Sequence, residues 1–453
     1  MDTLLEVKNL RVNFVTQSGI VKALNGVNFE ISKGETLGLI GETGCGKSVT
    51  ALSIMNLIPE TEGIVVSGTI LFDGVDLTEG QMTACKIVKT REKQKLKCSR
   101  SKVTKNNKFM GQIRGNTLSM IFQEPMTTLN PVMSIRKQIE DALYEHHIDY
   151  LASRIMARRK ISKIQLETIA NRIMQDNMTK YLNEYVKDIP EIEPIKDQIS
   201  YILERNDISE MKKRRLIIGL SEEDKKNSSK LIKMSSKHFT KAPMLIPTEI
   251  RNEARTVVIE LLTKVGISFP EKVLNSYPHE LSGGMRQRII IAIAISSHPK
   301  LLIADEPTTA LDVTIQAQIL DIINSLKGDR DMSVLFITHD LGVIANYVDR
   351  VAVMYAGSIV EIASTKELFK SPKHPYTRGM LMSIPSYGIG KGKLRSIAGS
   401  VPDLVNPPSG CRFNPRCELV MNICKDKDPP VFPISKTHKV ACWLYEKFQG
   451  ESK

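Results

Sequence analysis

One eight-residue run constrains the fold of this 453-residue chain more than any other feature. The run Gly41-Glu42-Thr43-Gly44-Cys45-Gly46-Lys47-Ser48 fits the phosphate-loop pattern G-x-x-x-x-G-K-[ST]. An apolar segment of strand length, 36–40, precedes it, and a helical stretch, 48–57, follows it. Such a loop presents backbone N–H groups and the positive end of a helix dipole to phosphate. The sequence therefore predicts a nucleotide site in which Lys47 reaches the phosphates and Ser48 binds Mg²⁺.

A second element supports the nucleotide site. Residues 301–304 are predicted to form a buried strand that ends in Asp305 and Glu306. Asp305 suits Mg²⁺, and Glu306 can polarise the attacking water as a general base. Further buried strands at 334–338 and 351–354 alternate with helical segments, which predicts an α/β fold with a largely parallel sheet.

Composition excludes an integral membrane protein and a wholly disordered chain. Hydrophobic residues make up 42% and charged residues 25%, as in soluble globular domains. The longest apolar stretch, 289–295, is far shorter than the roughly 18 residues that a spanning helix needs. The N-terminus lacks the layout of a secretory signal, so we expect a cytosolic protein.

The net charge of +13 is concentrated in one segment, because residues 83–115 contain eight Lys, three Arg and one Glu. We expect a mobile, solvated basic insertion there rather than a general nucleic-acid surface. A second unusual region, 143–250, places isoleucines at helical spacing among charged residues. It is predicted to be a charged, partly helical insertion, with ordinary amphipathic packing as the alternative.

The odd count of seven cysteines argues against a disulfide framework. Four of them cluster in a region rich in Pro and Cys that begins at about residue 371: Cys411, Cys417, Cys424 and Cys442. Four thiolates can hold a [4Fe–4S] cluster or zinc, and a third hypothesis is that the cysteines bind no metal. Arg412, Arg416 and Lys425 are expected to offset the thiolate charge.

The run Leu281-Ser282-Gly283-Gly284-Met285 resembles the signature sequence of ATP-binding cassette (ABC) ATPases. It is a second helix start that can bind phosphate, which makes sense if ATP lies between two subunits. The alternative is a plain Ser N-cap with flexible glycines. Other positions are similar to the family's motifs in order: Gln123 to the Q-loop, Asp312 to the D-loop and His339 to the switch histidine.

The resemblance implies a P-loop ABC-type nucleotide-binding domain with a RecA-like core, an antiparallel β subdomain and a helical subdomain. It implies roles in hydrolysis for Glu306, His339 and Gln123, and Mg²⁺ contacts for Ser48, Gln123 and Asp305. It implies ATP contacts for residues 41–49, through Val49. Phe14 is the candidate for stacking on adenine, although a core position is an equal alternative.

Three further runs resemble the oligopeptide/dipeptide permease ATPases: 122–131, 277–281 and 374–377. Residues 46–51 are more similar to the D-type than to the F-type subunit. The resemblance implies an ATPase subunit of a peptide importer, peripheral on the cytoplasmic face of the cell membrane. Its implied partners are an F-type ATPase subunit, two transmembrane permease subunits and an extracytoplasmic peptide-binding protein. For the cysteines it implies the iron–sulfur reading.

The predicted domains are the cassette, 1–370, and a Cys-rich C-terminal extension, 371–453. The resemblance covers neither 83–115 nor most of 143–250. The competing hypothesis is a soluble ABC ATPase that acts on nucleic acid or ribosomes through the basic insertion. A single cassette without a long coiled-coil arm argues against it, and no nucleic-acid partner is expected.

Overall fold

The computed structural model describes residues 2–89, 94–123, 128–160, 246–309, 311–330, 332–383 and 397–450, with a few single positions between 199 and 217. The chain divides into two compact units. The larger comprises Met1–Gln123 and His298–Lys453, and the smaller comprises Glu124–Ser297. No helix in the described ranges is long and apolar enough to span a membrane.

The strands described in the larger unit are, in chain order, β1 (Thr3–Thr16), β2 (Gly19–Ser32), β3 (Thr36–Ile40), β4 (Gly63–Phe72), β5 (Val75–Asp76), β6 (Cys85–Lys89), β7 (Gln94–Cys98), β8 (Leu118–Ile121), β9 (Leu301–Asp305), β10 (Ser333–Thr338), β11 (Arg350–Tyr355), β12 (Ser358–Ser364), β13 (Phe432–Pro433) and β14 (Lys439–Val440). Eight of them form one sheet in the order β13-β14-β12-β11-β3-β10-β9-β8. The run from β11 to β8 is parallel. Strands β3, β9 and β10 are buried along their whole length, which explains their near-continuous apolar sequences.

A second, antiparallel sheet has the order β2-β1-β4-β5. Its inward-facing side chains share a hydrophobic core with the central sheet and α1 (Lys47–Ile54). The predicted α/β fold is confirmed, and the predicted strands and helices agree with the structure to within a few residues. For example, the helix predicted over 48–57 is observed over Lys47–Ile54.

The remaining helices are, in chain order, α2 (Glu79–Ala84), α3 (Arg100–Met110), α4 (Ile135–His146), α5 (Ile148–Lys160), α6 (Thr248–Lys264), α7 (Pro270–Val273), α8 (Gly283–Ile295), α9 (Val313–Arg330), α10 (Leu341–Tyr347), α11 (Thr365–Lys370), α12 (Pro375–Met382) and α13 (Asn422–Asp426). Helices α4 to α8 belong to the smaller unit.

The basic segment differs from the expectation of an insertion without regular structure. Strands β6 and β7 form a hairpin, and α3 follows it. Cys85 and Cys98 lie directly opposite each other in the hairpin, with Cα atoms 4.1 Å apart, and form a disulfide that the odd cysteine count did not predict. The side chain of Met110, at the end of α3, is buried in the core of the larger unit. The six lysines of the segment whose burial the structure describes are exposed, in agreement with its solvated character.

In the smaller unit, a buried ion triad joins α5 to α6. The guanidinium of Arg154 is fully buried and donates to the carboxylates of Glu253, at 2.7 Å, and Glu260, at 2.8 Å. Most of the predicted insertion 143–250 lies outside the described residues, namely nearly all of 161–245. The described part of it consists of regular helices.

The C-terminal region belongs to the larger unit and does not form a unit of its own. Strands β14 and β13 extend the central sheet beside β12. The buried carboxylate of Glu361, on β12, accepts hydrogen bonds from the backbone N–H groups of Lys373 and His374 at 2.7 and 2.8 Å. The ring of His438 lies 2.7 Å from the same carboxylate. These bonds attach the C-terminal region to the sheet at three points.

Candidate nucleotide site

The phosphate loop lies where the sequence predicts it, between the end of β3 and the start of α1. Gly41 and Gly46 have φ values of 157° and 105°, which side chains rarely tolerate. A Cβ atom on Gly41 would lie 2.2 Å from the carbonyl oxygen of Met354, so glycine is required there. The side chain of Lys47 is buried, and its Nζ donates to the carbonyl oxygens of Gly41 at 2.8 Å and Glu42 at 3.2 Å.

Parallel pairing brings the other motifs to the same edge of the sheet. Strands β8, β3, β9 and β10 run in one direction, so their carboxyl ends meet there. Gln123, the phosphate loop, Glu306 and His339 each follow one of these strands. Segments far apart in sequence therefore form one polar cluster.

Asp305 has the features of a cation ligand. Its side chain is buried, and its Oδ1 has no hydrogen-bond partner within the described part of the chain. Burial raises its pKa to about 6, although a hydrogen bond with Ser48 and the charge of Lys47 oppose the rise. A buried carboxylate oxygen without a partner, next to a hydroxyl, matches the oxygen ligands that Mg²⁺ prefers. Asp305 and Ser48 thus fit the predicted magnesium site.

Glu306 is held by three side chains. Nε2 of Gln123 donates to its Oε2 at 2.9 Å, and the hydroxyl of Thr309 donates to the same oxygen at 3.0 Å. Nδ1 of His339 lies 3.0 Å from its Oε1. Partial burial raises the pKa of Glu306, but hydrogen bonds from His339 and Thr309, with the charges of His339 and Lys47, outweigh it and lower the net pKa. The carboxylate is therefore ionised at neutral pH and able to accept a proton.

Glu306 also has φ of 48°, in the left-handed region. A non-glycine residue in this conformation is uncommon and is frequent at functional sites. Its N–H donates to the carbonyl oxygen of Ile337 at 2.9 Å, which fixes the turn after β9. The sequence predicts roles for Glu306, Gln123 and His339, and the structure brings them together; it does not predict the contact from Thr309, because nothing in the local pattern marks that hydroxyl.

The predicted signature lies in the smaller unit at the start of α8. Ser282 is the N-cap, and its hydroxyl accepts a bond from the N–H of Met285 at 3.3 Å. Ser282 and Gly283 are exposed, whereas Leu281 is buried. The exposed end of this thirteen-residue helix has the geometry expected of a phosphate-binding helix start.

Two other predicted positions have local structural roles. Phe14, on β1, is partly buried and packs against the hydrophobic core, beside Gly63. The Oδ1 of Asp312 accepts a bond from the N–H of Ile315 at 2.9 Å and so caps α9. Ala310, two positions before Asp312, lies outside the described residues. Adenine stacking by Phe14 and a trans role for Asp312 stay predictions.

The predicted metal centre is not supported. All four cysteines of the C-terminal cluster are free thiols. Nowhere in the described ranges do three or more His, Cys, Asp or Glu side chains form a group that could hold a metal ion. Burial raises the pKa of Cys411 to about 12 and that of Cys442 to about 11.

The prediction that Arg412 and Arg416 offset thiolate charge is also wrong. Arg416 pairs with the carboxylate of Glu42 in the phosphate loop, at 2.9 Å. Arg412 donates to the backbone carbonyl of Lys22 at 3.3 Å. These partners come from the other end of the chain, so no local pattern around the cysteines could predict them.

A phosphate loop, a strand that ends in two acids and a switch histidine on one sheet edge define a P-loop ATPase. The family model for the ABC transporter matches residues 24–309, and the model for the oligopeptide/dipeptide transporter C-terminal region matches residues 360–424. The chain belongs to the ABC transporter family, and within it to the peptide-transport ATP-binding proteins. It is accordingly an ABC-type ATPase.

Three relatives from Bacillus subtilis (strain 168) match nearly the whole chain. The oligopeptide transport ATP-binding protein OppD is 39% identical, over 97% of this chain and 88% of its own length. AppD, also an oligopeptide transport ATP-binding protein, is 38% identical, over 100% and 99%. The dipeptide transport ATP-binding protein DppD is 36% identical, over 99% and 96%.

Proposed function

We propose that this chain is the ATP-hydrolysing subunit of an importer that takes up oligopeptides or dipeptides. The observation that carries the proposal is the pair of matches, one to the cassette and one to the oligopeptide/dipeptide C-terminal region. The names of the relatives support the same solute class. The chain would lie on the cytoplasmic face of the membrane and act on two permease subunits, which receive peptide from a separate binding protein.

In the proposed reaction, the phosphate loop binds ATP, with Lys47 moving from the loop carbonyls to the phosphates. Asp305, Ser48 and Gln123 would hold Mg²⁺, which neutralises phosphate charge when bound. Glu306, oriented by Gln123 and Thr309, accepts a proton from the attacking water. His339, which shares the carboxylate of Glu306, would contact the γ-phosphate.

The second half of the ATP site would come from a partner cassette, by homology an F-type ATPase subunit. Residues 281–285 and Asp312 of this chain would in turn serve the partner's ATP. The exposed N-terminus of α8 supports this arrangement, since a helix start directs backbone N–H groups and a partial positive charge outward.

The test is ATP-driven peptide uptake by the chain, purified with its neighbouring proteins and reconstituted in vesicles. We expect two multi-spanning proteins to copurify and uptake to require ATP. The variant Glu306→Gln is the control, because it should keep ATP binding and lose uptake. Absence of uptake, together with salt-sensitive RNA binding that requires residues 83–115, would support the nucleic-acid alternative, which the comparisons do not favour.

A further inference from the structure

Two C-terminal segments that have no role in the proposed hydrolysis reaction both form hydrogen bonds with one residue of the phosphate loop, Glu42. The hydroxyl of Tyr376, from the run His374-Pro375-Tyr376-Thr377, accepts a hydrogen bond from the backbone N–H of Glu42 at 2.9 Å. Nη1 of Arg416, from the cysteine-rich segment, donates to both carboxylate oxygens of Glu42 at 2.9 and 3.2 Å. Both the backbone and the side chain of Glu42 are therefore held by residues more than 330 positions away.

The side chains that hold Glu42 are themselves fixed. Arg416 is nearly buried, with 7% of its side chain exposed, and donates from Nε to the carbonyl oxygen of Ala398 at 2.9 Å and from Nη2 to that of Ile397 at 3.3 Å. Its guanidinium carbon lies 5.7 Å from the ring centre of Tyr355. Most of its donors are thus occupied, and its position is determined by the C-terminal region.

Tyr376 is equally constrained. It is fully buried at the start of α12, where Nδ1 of His374 accepts a bond from its N–H at 3.1 Å. Its ring packs against Tyr355 at 4.7 Å and Phe413 at 5.5 Å between ring centres. The hydroxyl therefore reaches the loop from a rigid aromatic cluster.

The chemistry of this contact bears on phosphate binding. Glu42 places a carboxylate on a loop that must receive a triphosphate, and two like charges at close range repel each other. A guanidinium paired with that carboxylate offsets its negative charge. We propose that Arg416, assisted by Tyr376, is a positioning residue of the ATP site, through which the C-terminal region sets the affinity of the phosphate loop for nucleotide. This inference does not depend on which solute is transported.

The experiment compares ATP binding and hydrolysis in variants of the full-length chain. We expect Arg416→Ala to raise the Kd and KM for ATP about tenfold, the factor that about 1.4 kcal/mol produces. The kcat should change less than about twofold, because Arg416 contacts no reacting atom. Adding Glu42→Gln to Arg416→Ala should restore most of the affinity, since it removes the charge that Arg416 cancels. Tyr376→Phe should show a smaller rise in Kd.

Arg378→Ala is the matched control. Arg378 is an arginine of the same region that anchors the C-terminus through Tyr445, at 3.0 Å, and Pro372, and no bond in the described part joins it to the loop. Equal losses of affinity in Arg378→Ala and Arg416→Ala, or a failure of Glu42→Gln to restore affinity, would overturn the proposal. If Arg416→Ala does not fold, Arg416→Gln takes its place, because it keeps a hydrogen-bond donor and removes the charge: unchanged Kd and KM for ATP in Arg416→Gln would also overturn the proposal.

Discussion

The edge of the central sheet and the interior of the smaller unit both contain charged groups with little exposure. The two regions differ in whether these charges are paired with groups of opposite charge. At the sheet edge, one carboxylate oxygen of Asp305 lacks a hydrogen-bond partner among the described residues, and Lys47 is bonded to two neutral carbonyls. In the smaller unit, Arg154 is matched by two carboxylates and a tyrosine hydroxyl. Unmatched charge costs stability and leaves capacity for a ligand, whereas matched charge fixes the packing of helices.

The largest expected effect is at the sheet edge. Glu306→Gln keeps the size of the side chain and removes its ability to accept a proton. We expect ATP turnover to fall by about 10²–10⁴-fold, while ATP-dependent association of cassettes is kept. Turnover and association are measured on the same preparation. Hydrolysis at the normal rate would refute the role of Glu306.

The matching test in the smaller unit is Arg154→Met, which leaves Glu253 and Glu260 buried without their cation. We expect a loss of about 3–5 kcal/mol in the free energy of unfolding, measured by urea denaturation. Replacing the three charged residues together by apolar ones of similar volume should recover much of this loss. If the single variant is as stable as the wild type, the triad is not a structural element.

The pH dependence of the unfolding free energy tests whether the unpaired charge at the sheet edge lowers stability. Because the pKa of Asp305 is about 6 in the folded chain, above its ordinary value of 3.8, the folded state holds a proton that the unfolded state has released. Asp305 should therefore lower stability as the pH rises from about 4 to 6, by roughly 2–3 kcal/mol. Asp305→Asn should remove this slope in unfolding experiments without nucleotide. An unchanged slope would show that other groups cause it.

The smallest expected effect on stability is at the start of α8. Ser282→Ala removes the N-cap and should cost about 1 kcal/mol in unfolding free energy. Ser282→Asp keeps a capping oxygen but adds a negative charge where phosphate is expected. We expect Ser282→Asp to keep wild-type stability and to lose ATP turnover in the complete transporter. Normal ATP turnover in Ser282→Asp would show that Ser282 only caps the helix and does not bind phosphate.

The nucleotide motifs could be predicted because each is short, contiguous and tied to a strand end. The loop 41–48, Asp305 with Glu306, and His339 follow apolar runs whose parallel pairing brings them together. The pairing of Cys85 with Cys98 and the contact of Arg416 with Glu42 could not be predicted, since both depend on the register or packing of distant segments. The basic segment differs from its prediction because a disulfide closes its hairpin and Met110 anchors α3 in the core, and its many lysines give no sign of either.

The amino-acid sequence alone determined that this protein binds a nucleotide at a glycine loop and that its core is a parallel sheet, because local periodicity and spacing suffice for both. Only the tertiary structure determined which distant side chains form hydrogen bonds with the phosphate loop. Arg416 and Tyr376 reach Glu42 from a C-terminal region that returns to the sheet, where β13 and β14 extend it and Glu361 anchors the chain. A salt bridge across 374 positions has no signature in the order of residues; it exists only once the chain has folded.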